Sequence, residues 1–208
     1  MPPRPPPPLQ LPNIELLKIT SNPKDNPEFT SVLQYGIPQL DSWVFKSEIS
    51  EIDDNLYLCG NSFTKKDLDD IGITHILNIS CQKDPEYTNI ETLFISMPDG
   101  GGLSEEGKTI DEHFQKAIDF IQNARDIGGN VLVHCHMGIS RSATLVIAYL
   151  MKTLNKPYNT ILTMVKSKRP IVDPCLVFAW KLMEFQKELG INSPKSSPQS
   201  STIPCKFC

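Results

Sequence analysis

The sequence is poor in several things at once, and each shortage closes off a class of protein. It has no apolar run long enough to cross a bilayer and no amino-terminal signal pattern. No membrane association is therefore expected. It has no excess of positive charge: 20 Lys and Arg stand against 24 Asp and Glu, for a net charge of −4. Nucleic acid is accordingly not expected as a partner, because binding a polyanion rests on neutralising its phosphates. The six cysteines, Cys59, Cys81, Cys135, Cys175, Cys205 and Cys208, lack the tight spacing of a disulfide framework. Cys205 and Cys208 alone supply only half a zinc site, and His75 has no partner histidine at metal-ligand spacing. The expected setting is reducing and cytoplasmic, with the nucleus also open.

The 208 residues divide by composition. Residues 1–48 open on Met-Pro-Pro-Arg-Pro-Pro-Pro-Pro, which can form neither helix nor central sheet and reads as a mostly disordered lead. A more apolar part around Trp43 is expected to dock on the neighbouring domain. Residues 191–208 are rich in Ser and Pro and read as a disordered tail. Between them, residues 49–190 carry the periodic patterns of one domain, long enough to bury a core.

Within that domain strands and helices alternate. Leu56–Gly60 reads as a strand, Thr64 caps a helix running to Ile71 and ended by Gly72, and His75–Ile79 reads as the next strand. Leu93–Met97 is another strand. Thr109 and Glu112 have the spacing of a capping box before a helix whose apolar face carries Phe114, Ala117, Ile118 and Ile121. On that helix Glu112 and His113 are assigned to the solvent face. Further helices are expected from about Ser142 to Thr153, from Tyr158 to Lys168, and through Phe178, Leu182, Phe185 and Leu189. Arg169–Pro174 reads as a turn. The order predicts an α/β fold with a central, largely parallel sheet of about five strands flanked by helices.

Residues 131–142, Val-Leu-Val-His-Cys-His-Met-Gly-Ile-Ser-Arg-Ser, hold the densest chemistry. An apolar strand ends at His134-Cys135, five residues come next, and Arg141-Ser142 opens an apolar helix. A loop at that point lies against unpaired helix N–H groups and the positive end of the helix dipole. The backbone amides of His136, Met137, Gly138, Ile139, Ser140 and Arg141 can converge on an anion, and Arg141 can add a bidentate fork. The same field favours the anionic form of Cys135. Ser142 is placed to donate to its sulfur.

His134-Cys135-x5-Arg141-Ser142 resembles the signature of the cysteine-dependent protein phosphatases. The continuation Ala-Thr-Leu-Val-Ile-Ala-Tyr resembles the dual-specificity subfamily, and the similarity covers roughly residues 49–190. It implies a protein-tyrosine-phosphatase-like fold and hydrolysis of phosphotyrosine and phosphoserine or phosphothreonine in proteins through a phosphocysteine, with no cofactor and no metal. Cys135 would be the nucleophile, Arg141 and the amides of 136–141 the phosphate ligands, and His134 a supporting residue. An aspartate just after a strand serves this family as general acid, and Asp99, ahead of Gly100-Gly101-Gly102, matches it. A phosphorylated protein is the implied partner, a kinase among the candidates; nothing bears on oligomeric state.

The sequence departs from the family pattern before the last helix. Pro174 is followed by Cys175 where an asparagine usually braces the signature loop, and Lys181 rather than glutamine precedes Leu182. Loss of that amide is expected to loosen the loop. Two other readings stay open: an inositol or phosphoinositide phosphatase of the same superfamily, whose loop usually carries added lysines, and a weakly active module that binds phosphoproteins.

Overall fold

The computed structural model describes residues 48–192. The proline run, the Trp43 segment and the Ser/Pro-rich tail lie outside the described residues. The strands are β1 (Ser50–Asp53), β2 (Leu56–Cys59), β3 (Ile73–Ser80), β4 (Glu91–Ser96) and β5 (Asn130–His134), in one sheet of order β1-β2-β5-β3-β4. β1 pairs antiparallel with β2, and every other pairing is parallel. The expected α/β architecture is what is found. β1 is a strand not expected from the sequence: four residues mixing Ser, Glu and Asp with one apolar side chain carry little β signal.

β5 occupies the centre, hydrogen-bonded to β2 on one side and β3 on the other. Strands buried on both faces read as continuous apolar runs, and Val131, Leu132 and Val133 are each fully buried. Alternation along β5 sends Val131 and Val133 into the larger core and Leu132 into the smaller one. The smaller core lies under α1 (Lys65–Ile71), whose Leu68 packs with Ile73 and Ile76. Thr64 and Asp67 form a reciprocal capping box there, and Gly72 ends the helix in the left-handed region at φ 73°.

The larger core is built by α2 (Phe114–Asp126), α3 (Arg141–Leu154), α4 (Tyr158–Lys168) and α5 (Leu176–Glu188). α3 is the central one: every residue from Arg141 to Met151 is buried, as expected of a helix apolar on all sides. Its carboxyl end turns on Asn155 at φ 50°. Thr109 and Glu112 do form the capping box, but the first turn, Ile110–His113, is a 3-10 helix ahead of α2. His113 is not on the solvent face: it is 2% exposed, and its Nε2 has no hydrogen-bond partner among the described residues. Residue 113 comes after Ile110 at an i+3 spacing, so a tighter helical turn places both on the inner side.

Candidate active site

The end of β5, the loop 135–140 and the start of α3 form a single bend. Cys135 lies directly after the strand and is 2% exposed. Two donors converge on its sulfur: the Gly138 N–H at 3.2 Å and the Ser142 hydroxyl at 3.2 Å. Both donors point at the one sulfur from the loop and from the first turn of α3. Gly138 stands at φ 66°, a left-handed conformation that turns its amide toward Cys135. Ser140 is the N-cap of α3 without capping it through its side chain. The N–H groups of the first helical turn are thus left for an anion.

Arg141 opens that helix and is 4% exposed. Its Nη1 donates to the Met97 carbonyl at 2.9 Å, which anchors the guanidinium to the end of β4. Its Nη2 reaches Asp99 Oδ2 at 3.4 Å, and its Nε is buried with no partner among the described residues. Asp99 is 61% exposed in its side chain, and Oδ1 accepts the Gly100 N–H at 2.9 Å. The glycine run begins directly after it, and the loop is fastened again where Glu105 N–H meets the Ser96 carbonyl at 3.1 Å. The structure therefore brings Cys135, Ser142, Arg141 and Asp99 to one place. His136 and Met137 are exposed at the rim, and Ile139 and Ser140 lie half-buried behind them.

His134 is 1% exposed and points to the α1 side of the sheet, where Nε2 meets Asp84 Oδ2 at 2.7 Å. The Phe63 ring stands edge-on to it at 4.9 Å between centroids. A single histidine before a cysteine gives no clue to this partner, because Asp84 is 50 residues away.

One residue of the site was missed from the sequence. Arg169, assigned to a turn, is 4% exposed and reaches under the loop. Its Nε donates to the Gly138 carbonyl at 2.9 Å and its Nη2 to the Met137 carbonyl at 3.3 Å, while Nη1 donates to the Glu48 carbonyl at 2.8 Å. Holding two loop carbonyls from behind turns the amides of the loop toward the front. Burial pushes the Arg169 guanidinium below the usual arginine range. Cys59, fully buried at the end of β2, is pushed well up by burial and stays a neutral thiol. Cys59 is therefore an inert neighbour of Cys135.

At the departure from the family pattern, Cys175, main-chain bonds reach the loop. The Cys175 backbone N–H donates to Ser140 Oγ at 3.1 Å, and the Asp173 N–H donates to the Ile139 carbonyl at 2.9 Å. Main chain at the entry of α5 supports the loop directly, and such bonds are indifferent to the side chain at 175. Lys181 pairs with Asp111 at 3.1 Å, joining α5 to the turn before α2. Among the described residues no group of three or more His, Cys, Asp or Glu could hold a metal, and no helix is long and apolar enough to cross a membrane.

Residues 56–188 match the family model described as dual specificity phosphatase, catalytic domain. Dual specificity protein phosphatase 15 of Mus musculus is 41% identical over 133 residues, 62% of this chain and 54% of that protein. A probable rhodanese domain-containing dual specificity protein phosphatase of Dictyostelium discoideum is 36% identical over 157 residues, 74% of this chain and 32% of that protein. The chain spans about a third to a half of the length of these curated relatives. The crystal structure of DUSP15 superposes with a TM-score of 0.61 at 30% identity, covering 72% of this chain and 99% of that one.

Proposed function

The chain belongs to the dual specificity phosphatase family, and on that premise we propose that it hydrolyses phosphotyrosine and phosphoserine or phosphothreonine in proteins through a phosphocysteine intermediate. The observation that carries this reading is the convergence of the Gly138 N–H and the Ser142 hydroxyl on Cys135 Sγ, beside an uncapped helix end and a buried arginine.

The thiolate of Cys135 attacks phosphorus, forming the S–P bond as the bond to the ester oxygen breaks. Arg141 and the amides of residues 136–141 hold the equatorial oxygens, whose charge is best matched in the transition state. Asp99 delivers a proton to the departing oxygen. Its place on the rim, within reach of the guanidinium that holds the phosphate, suits a group that must track the leaving atom. Water then attacks the phosphocysteine, Asp99 takes its proton, the S–P bond breaks, and Ser142 donates to the returning sulfur.

A protein substrate is favoured over an inositol phosphate by the loop itself. Residues 136–140 are His, Met, Gly, Ile and Ser, which bring no lysine or arginine to meet further phosphates. The test is Cys135→Ser in the full chain. Hydrolysis should vanish while phosphate esters still bind, and mass spectrometry of what the variant captures should find phosphopeptides rather than phosphoinositides. Full turnover by Cys135→Ser, or loss of wild-type turnover to a chelator, would remove the mechanism.

A further inference from the structure

Beside the cradle lies a cavity of about 430 Å³ that shares His136 and Arg141 with it. Its walls are fixed. The turn after β3 is held by Asn78 Nδ2 and Ser80 Oγ, which both donate to the Gln82 carbonyl, at 2.9 and 2.8 Å. The same turn is pinned to β5 by the Asp84–His134 pair. Across the cavity, Asn61 N–H donates to the His136 carbonyl at 3.2 Å, and Asn61 Nδ2 lies 3.3 Å from His136 Nδ1. An amide donating to Nδ1 leaves the proton of a neutral His136 on Nε2, so that nitrogen is also a donor.

The charge of this lining is one-sided. Lys83 and Arg141 bring two cations, and Asn61, Gln82 and His136 add donors. The one carboxylate, Asp84, is already engaged by His134, with their side chains only 12% and 1% exposed. Lys83 Nζ lies 5.6 Å above the Phe94 ring and has no carboxylate partner among the described residues. A preformed, donor-rich cavity next to a phosphate cradle is suited to a second anion on the same ligand.

Resting on the protein phosphatase reading above, we propose that this cavity takes a second anionic group of the substrate, a carboxylate or a phosphate on a residue flanking the one being dephosphorylated. Lys83 is then a specificity-determining residue. It acts on binding and stays out of the chemical step, which needs only the cradle and Asp99.

The experiment compares phosphopeptides that carry Glu, phosphoserine or Ala at the flanking positions, with a nitroaryl phosphate as the ester that cannot reach the cavity. Wild type should show a KM lower by about fivefold for the acidic or doubly phosphorylated peptides, the scale of a single exposed ion pair, with kcat unchanged. The preference should weaken as ionic strength rises. Lys83→Glu should erase or reverse it while nitroaryl phosphate turnover stays within about twofold of wild type, as for a surface substitution outside the reacting groups. Equal KM for Glu-flanked, phosphoserine-flanked and Ala-flanked peptides in wild type overturns the proposal, as does a preference that survives Lys83→Glu. A Lys83-dependent preference confined to soluble short-chain phosphoinositides overturns the assignment to a peptide. Failure of the protein phosphatase reading would look different, as loss of Cys135-dependent nitroaryl phosphate turnover.

Discussion

Gly138→Ala puts the packing of the cradle to a quantitative test. The methyl group it adds would stand 2.4 Å from the carbonyl carbon and oxygen of Cys59 and 2.7 Å from the Gly60 nitrogen. Non-bonded carbons settle at about 3.5–4.0 Å, so the overlap is about 1 Å or more. The atoms struck are main chain at the end of β2, where Cys59 is in register with His134, and they cannot swing aside as a side chain would. Gly107 supplies the control: at φ 73° it also adopts a left-handed conformation, but a methyl group there would meet nothing within 4 Å. Gly107→Ala should therefore cost only the conformational penalty, roughly 1–2 kcal/mol. Gly138→Ala adds an overpacking cost of about 1–3 kcal/mol, for a total of roughly 2–5 kcal/mol. If the loop relieves the overlap by moving about 1 Å, the Gly138 N–H leaves Cys135 and turnover should fall about 100-fold. Urea unfolding and kcat/KM for a nitroaryl phosphate, measured on both variants, separate the terms. A Gly138→Ala protein that keeps wild-type turnover and is no less stable than Gly107→Ala would refute the reasoning.

Three further outcomes are expected of the site and its surroundings. Arg169→Met leaves the carbonyls of Gly138, Met137 and Glu48 without their donor and should lower stability by about 3–5 kcal/mol and depress turnover; Arg169→Lys should recover little, because it restores charge without the fork. Wild-type kinetics in Arg169→Met would take this residue out of the cradle. Asp99→Asn should slow phosphothreonine and phosphotyrosine peptides by about 10²–10⁴ and barely affect a nitroaryl ester that departs without a proton; equal losses would shift the acid to Glu105 or Glu106. Burial holds the His113 imidazole below the usual histidine range, so in acid the unfolded chain takes up a proton that the folded chain resists. Its contribution to stability is complete above about pH 6.5 and is lost as pH falls through the lower folded value. His113→Leu should make the urea midpoint less sensitive to pH between 7 and 5, and an unchanged slope would show that His113 is not the group responsible.

What the sequence disclosed was whatever is encoded locally. The cap at Thr64, the stop at Gly72, the capping box at Thr109 and Glu112 and the strand-loop-helix at Cys135 depend on neighbours within a few residues, and each was legible. Asp99 was legible through resemblance, and the structure sets it beside Arg141. Arg169 was not, because a basic residue before a proline reads as surface. Only the path of the chain after α4 carries it beneath Gly138, 31 positions away in sequence. The partner of His134 was hidden for the same reason. The main-chain bond from Cys175 to Ser140 was equally hidden, because side-chain identity says nothing of a bond made by main chain. His113 went astray by a change of helical pitch, which shifts which residues share a face.

The position of β5 has a consequence for how the protein is made. The central strand is the last of the five to leave the ribosome, and it must enter between β2 and β3, which are already present. The supports of its loop come later still: Arg169 ties the loop to Glu48 across 121 residues, and the main chain of Asp173 and Cys175 completes the brace. A nascent chain ending at Leu154 has every residue of the signature and none of these three supports. At about 5–20 residues per second, synthesis from Cys135 to Cys175 takes roughly 2–8 s, during which the thiol has been made and its cradle has not. The surroundings of Cys135 are thus completed only by chain that is made after it.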